Sequence, residues 1–240
     1  MVESGKLVSV TYDGYIEGKL FDTTNEELAK ENNIYNPSMV YGPVTIVVGR
    51  NMLVKGLDNA LLEMEEGEER ELELQPEEAF GVRDKSKVKI VSMQEFKKHG
   101  VQPIKGMPIT IDNAVGRVAS VSGGRVLVDF NHELAGKVVN YKIKIEKVIK
   151  EPEEIVKELI KLYIPKINSD NIEVKVNKKS VNITLPESAL FVQNIPMIKM
   201  AVANEVMGQL DKIEKVSFID VFEKKEKKEV KKETEVDNTK

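Results

Sequence analysis

The chain of 240 residues contains no cysteine, which excludes disulfides, thiol nucleophiles and thiolate metal sites. Histidine is almost as scarce. His99 and His132 are the only two, and their separation offers no metal-ligand spacing. No excess of one charge is present either, because 36 Lys and Arg are interleaved with 40 Asp and Glu for a net charge of −4. A phosphate-binding surface needs clustered basic residues, so nucleic acid is not an expected partner. No apolar run is long enough to cross a bilayer, and residues 1–5 lack the basic-then-apolar order of a secretory leader. A cytoplasmic protein without a membrane partner is expected. The abundance of Lys and Glu, with few thermolabile side chains besides Asn and Met, leans towards a thermophile.

What remains is a composition of 41% hydrophobic and 32% charged residues, typical of a globular protein with a sizeable core. Lys6 to Ile16 alternates apolar and polar residues and reads as a strand. Residues 23–41 read as a long loop or short helix, and Val44 to Val48 as a β-branched strand. Leu53, Leu57, Leu61 and Met64 recur at helical spacing up to a stop near Gly67. Arg70, Leu72 and Leu74 then alternate with Glu69, Glu71 and Glu73, as in a half-buried strand with an acidic outer face.

From Lys85 the character changes. Strands are expected at 87–91, 107–111, 116–121 and 125–130, with a turn at Ser122, Gly123 and Gly124. Ser92 to Glu95 reads as a capping box opening a short helix that Gly100 ends. A long alternating strand at 138–149 would return to the first sheet, leaving residues 87–129 as an insertion between two of its strands. Pro152 begins a helix with Ile155, Leu159 and Leu162 on one side. A hairpin follows at 172–185, then a helix at 194–210 and a strand at 216–222. The expected division is 1–86 with 130–150, an inserted 87–129, a C-terminal 151–223, and a charged, disordered tail at 224–240.

Three ordered blocks carry a specific resemblance. The first is Ser9 to Phe21 completed by Asp22, Thr23 and Thr24. The second runs from Val48 and Gly49 through Leu53 and Val54 to Gly56 and Leu57. The third is Glu78, Ala79, Phe80 and Gly81. Together they resemble the FKBP-type peptidyl-prolyl cis-trans isomerases, in particular SlyD-like members with an inserted chaperone domain and the long archaeal group. The implied fold is α+β: an antiparallel sheet wrapped on a short helix, with an inserted small α+β domain and a C-terminal α+β domain.

The resemblance implies rotation about X-Pro bonds in an apolar cleft walled by Tyr12, Phe21, Val44, Leu53, Val54, Leu57, Phe80 and Tyr141. Asp22 is the implied carboxylate, and the Val54 backbone N–H the implied donor to a substrate carbonyl. No metal or other cofactor is needed. This chain has Leu57 where the family often has Trp, Val44 for a Phe, and Phe80 for a Tyr. Taken one at a time, Tyr12, Val44, Leu53, Val54 and Leu57 read more readily as plain core, and Asp22 equally well as a helix N-cap; the collective order favours the site. A weakly catalytic holdase that keeps the fold is the alternative function, and an assembly scaffold a third.

The implied role of the insert is capture of unfolded or proline-containing polypeptides, with Ile90, Val91, Met93, Phe96, Ile104, Met107, Pro108 and Ile109 as candidate contacts. Phe96 and Ile90 are expected in the insert's own core, and Met107 with Pro108 as an exposed contact. Met197, Met200 and Met207, beside Ile198, Val202 and Val206, form a wide apolar stripe on the last helix. A homodimer contact, a second client surface and plain core are its three readings.

Overall fold

The computed structural model describes residues 1–222; the expected charged tail lies outside the described residues. The chain divides into two units, Met1–Lys150 and Glu151–Lys240. The first threads β1 (Leu7–Ile16), β2 (Lys19–Thr23), α1 (Glu26–Glu31), β3 (Val44–Val47), α2 (Lys55–Glu63) and β4 (Glu69–Leu74). It continues through β5 (Val88–Ser92), α3 (Met93–Lys98), β6 (Pro108–Ile111), β7 (Ala114–Ser122) and β8 (Arg125–Asp129), then returns in β9 (Val139–Ile149).

Alternation decides the main sheet. Val8, Val10 and Ile16 of β1 and Val139, Tyr141, Ile143 and Ile145 of β9 are buried on one face, because successive side chains of a strand point to opposite sides. The two strands run antiparallel from Leu7↔Ile149 to Tyr15↔Asn140. On its other side β1 takes β3 and then β2, and β9 takes β4. Helix α2 covers the apolar face with Leu57, Ala60 and Leu61, each almost completely buried. In β4 the glutamates point outward while Leu74 is buried.

Between β4 and β9 the chain leaves to build a second, antiparallel sheet of order β5-β8-β7-β6. Its core is Phe96, Val118, Val126 and Val128, with Val91, Met93, Met107 and Ile109 packed against it. The β7–β8 hairpin turns on Gly123 and Gly124, both at positive φ, as a type I′ turn requires. Gly100, also at positive φ, follows the C-cap of α3.

The two connections at the root of this insert are tied together. Asp84 N–H donates to Asn131 Oδ1 and Asn131 Nδ2 donates to the Asp84 carbonyl, both at 2.9 Å. Arg83 pairs with Asp129, Phe130 N–H reaches the Lys87 carbonyl at 3.0 Å, and Gly136 N–H the Gly81 carbonyl at 2.8 Å.

Several expectations are corrected. Ile90 is 65% exposed, outside the insert core in which it was expected, because Val91 supplies the inward side chain of β5. Met107 is half-buried against that core, while Pro108 is exposed. The capping box is half-formed: Ser92 Oγ accepts from Gln94 N–H, but Glu95 turns to Lys98 and His99. The helix cap near Asp22 is Asn25, which accepts from Glu27 and Leu28 N–H.

The second unit comprises α4 (Pro152–Tyr163), β10 (Glu173–Val176), β11 (Ser180–Thr184), α5 (Ile195–Gln209) and β12 (Lys215–Ile219). Its sheet, β10-β11-β12, pairs β11 and β12 in parallel. The last strand is shorter than the expected 216–222. Ile155, Val156, Leu159 and Ile160 of α4 and Val202 and Val206 of α5 are buried.

Candidate active site

The site grows from the β1–β2 hairpin. Gly14 of β1 sits opposite Asp22 of β2 and Tyr141 of β9. A Cβ on Gly14 would meet Tyr141 Cε1 at 2.7 Å and the Phe21 ring at 3.0 Å, so glycine here lets two rings close over the strand. The β1–β2 register shifts at Gly14/Tyr15, and such an irregularity re-aims the neighbouring side chains.

Four rings then meet in succession, each edge to face. Tyr12 and Tyr141 have centroids 6.1 Å apart, Tyr141 and Phe21 5.7 Å, and Phe21 and Phe80 5.9 Å, with interplanar angles of 73–75°. That arrangement places the positive edge of one ring against the negative face of the next. Val44, Leu53 and Val54 pack half-buried against the same core cluster, in which Leu57 and Tyr141 are buried. The eight apolar and aromatic positions marked in the sequence thus share one cluster.

Asp22 joins them through Tyr12. Burial raises its pKa above the ordinary carboxylate value, opposed by hydrogen bonds from Thr23 N–H and the Tyr12 hydroxyl. Burial, with the adjacent Asp22 charge, pushes Tyr12 up to about 12, and burial raises Tyr141 as well. Both phenols therefore stay protonated at physiological pH. The backbone beneath is fixed by Thr24, whose Oγ1 accepts from Tyr12 N–H at 3.0 Å and donates to the Tyr12 carbonyl at 3.2 Å.

The segment carrying Leu53 and Val54 is held by a residue that the sequence reading missed. Asp58, 4% exposed, accepts from Gly49 N–H through Oδ1 and from Asn51 N–H through Oδ2, each at 2.9 Å. A signal was available, since Asp58 lies four residues after Val54 and three before Leu61, on the buried side of α2. Val54 is the N-cap of α2, at extended φ and ψ, and its N–H has no acceptor among the described residues. A second missed residue is His132, stacked on Phe80 with centroids 4.7 Å apart and an interplanar angle of 3°. Nothing in its sequence context points to that contact.

In the insert, Phe96, Met107, Pro108 and Ile109 line a groove of about 610 Å³ rimmed by Glu95 and Asp112. Ile90 and Ile104 are exposed but do not line that groove, and Met93 packs into the small core. Among the described residues no cluster of His, Cys, Asp and Glu could hold a metal ion, and no helix is long and apolar enough to cross a membrane.

The chain carrying this arrangement has relatives in sequence. Residues 1–97 match the family model of the FKBP-type peptidyl-prolyl cis-trans isomerases. The chain is 36% identical over 148 residues to a short-type peptidyl-prolyl cis-trans isomerase of Methanocaldococcus jannaschii, covering 62% of this chain and 94% of that protein. The chain belongs to the FKBP-type peptidyl-prolyl isomerase family. The FKBP-type isomerase SlyD of Helicobacter pylori is 33% identical over 43% of this chain and 57% of its own length. The FKBP-type 16 kDa isomerase of Escherichia coli is 29% identical over 53% and 83%. Two further models match, an FKBP26 IF domain at residues 89–134 and an FKBP26 C-terminal domain at 152–223. As an FKBP-type isomerase the chain turns X-Pro bonds.

Proposed function

We propose that this isomerase acts on X-Pro bonds in unfolded or partly folded polypeptides, with catalysis in residues 1–86 and 130–150 and client capture in the insert at 87–129. The observation that carries the first half is the edge-to-face chain Tyr12–Tyr141–Phe21–Phe80 closing around a half-buried carboxylate.

Uncatalysed rotation of the peptide bond crosses about 18–20 kcal/mol. The planar amide is charge-separated by resonance, and the twisted transition state is less so. Transfer to a dry, apolar cleft therefore destabilises the ground state relative to the transition state. Tyr12, Phe21, Val44, Leu53, Leu57, Phe80 and Tyr141 supply the walls. Asp22 lies beside the rotating carbonyl, held by the Tyr12 hydroxyl. The Val54 N–H, at the positive end of α2, donates to a substrate carbonyl and keeps the peptide in register. Lowering the barrier by about 5 kcal/mol accelerates rotation on the order of 10³–10⁴-fold, with no acid, base or metal required.

The client surface is the groove of Met107, Pro108 and Ile109, with Ile90, Ile104 and Met93 as weaker contacts outside it. Its setting supports strand addition, since β6 is an edge of the insert sheet with only β7 beside it. The two ends of the insert are hydrogen-bonded neighbours at Lys87 and Phe130, so excision of 87–129 is closed by a short loop. Excision leaves tetrapeptide isomerisation largely intact and greatly slows proline-limited refolding of a whole protein. Equal loss in both assays overturns the division of labour. Absent tetrapeptide turnover with retained suppression of aggregation would instead make the chain a holdase.

The C-terminal domain, 151–223, is proposed as a self-association module. Phe191, Met197 and Met200 are exposed at 84%, 62% and 54%, leaving an uncovered apolar surface beside the buried Val202 and Val206. A cytoplasmic setting without nucleic-acid partners is proposed, the interleaved charge supporting the latter; the Lys- and Glu-rich composition supports a thermophilic setting, and the similarity to the Methanocaldococcus jannaschii isomerase an archaeal one.

A further inference from the structure

His132 takes no part in the chemistry above, yet its ring lies flat on Phe80, the outermost of the four cleft rings. Its Nδ1 accepts from Leu134 N–H at 3.2 Å, which fixes the ring within the turn that leads the chain back from the insert into β9. Ala135 N–H closes the same turn on the His132 carbonyl at 2.9 Å. Phe80 itself sits at the start of the outgoing connection, one residue before Gly81, whose carbonyl accepts from Gly136 N–H. Phe80 is only half-buried, and the core touches it from one side. Phe21 meets it edge-on and His132 covers it face-on, so the two contacts fix both the position and the tilt of the ring.

We infer that His132 is a positioning residue for the isomerase reaction: it sets the tilt of Phe80, and thereby couples one wall of the prolyl cleft to the root of the insert. The root is already clamped by Asp84 with Asn131 and by Arg83 with Asp129. The Phe80–His132 stack extends that clamp to the cleft. The inference rests on the reading of Phe80 as a cleft wall.

The test uses the full chain, a proline tetrapeptide, and four variants: His132→Ala, His132→Phe, His132→Asn and Phe80→Leu. His132→Phe keeps a ring over Phe80 and loses the Nδ1 acceptor; His132→Asn keeps an acceptor and loses the ring. The alanine variant should lower kcat/KM about 3- to 10-fold, the scale of one aromatic pair. The phenylalanine variant should recover most of that loss, and the asparagine variant little of it. Adding His132→Ala to Phe80→Leu should cost nothing further. Recovery by asparagine but not phenylalanine would assign the effect to the turn and overturn the inference. So would full activity in His132→Ala, or equal cost in the presence and absence of the Phe80 ring. If Phe80→Leu itself leaves kcat/KM unchanged, it is the reading of the cleft wall that fails.

Discussion

At the scale of single residues, the proposed site sets stability against function at Asp22. Burial raises its pKa above the ordinary value of 3.8, and burial outweighs the hydrogen bonds from Thr23 and Tyr12. A group whose folded pKa is raised carries no penalty while both states are protonated. The penalty grows as pH rises from the unfolded value through the folded one, and stays constant above. Asp22→Asn should therefore match the wild type in Tm at low pH and exceed it at neutral pH, the gap opening from about pH 4 upward, while kcat/KM falls. Thermal melts across pH 3–8 check this, and a variant less stable at pH 7 than the wild type contradicts it. Gly14 makes the opposite case, a residue chosen for what it leaves out. Gly14→Ala would drive a methyl into Tyr141 and Phe21, at a cost of about 1–3 kcal/mol by overpacking. With the displaced rings as walls of the proposed cleft, tetrapeptide turnover should fall in the protein that remains folded, measured on samples normalised by denaturant titration.

At the scale of elements, β1 and β9 were legible because their alternation is regular over ten or more residues and matches their burial. The Phe21–Asp22 pair stood out in the sequence because a carboxylate beside an aromatic ring has little use in a plain core, and Phe21 does meet Phe80 and Tyr141. Ile90 was misplaced because Val88, Ile90 and Val91 leave the phase of a five-residue strand undecided. Asp58 and His132 were missed for a different reason. Their roles arise from convergence of segments distant in sequence, which no period encodes. Asp58 shows how much such a contact can govern. Its two oxygens take the Gly49 and Asn51 N–H groups, so a helix residue shapes the loop that leads to Val54. Asp58→Ala would leave both donors without that partner, costing about 2–4 kcal/mol. Asp58→Asn should keep one bond and lose less. Since the loop presents the Val54 N–H, the surviving folded fraction should show a raised KM for the tetrapeptide with a smaller change in kcat. Urea titration and steady-state assays at one temperature separate the two effects.

At the scale of the whole molecule, the question is why a cleft for one bond should carry a separate groove. A tetrapeptide diffuses into the cleft on its own, and its turnover depends on the ring geometry. A folding chain presents few X-Pro bonds; on the proposed division of labour, weak attachment at the insert holds one of them near Asp22 at an effective concentration that reaches the millimolar range for short tethers. The two activities should then respond differently to a competitor. A permanently unfolded chain without proline, added at saturating concentration, occupies the groove of Met107, Pro108 and Ile109 and leaves the cleft empty. Catalysis of proline-limited refolding should fall by about 10²-fold, towards the level of the protein excised at 87–129, while tetrapeptide kcat/KM changes less than twofold. Replacing Met107 and Ile109 by serine should abolish the competitor's effect together with the refolding activity it suppresses. Inhibition of both assays in parallel would place the competitor in the prolyl cleft, and with it the capture of clients.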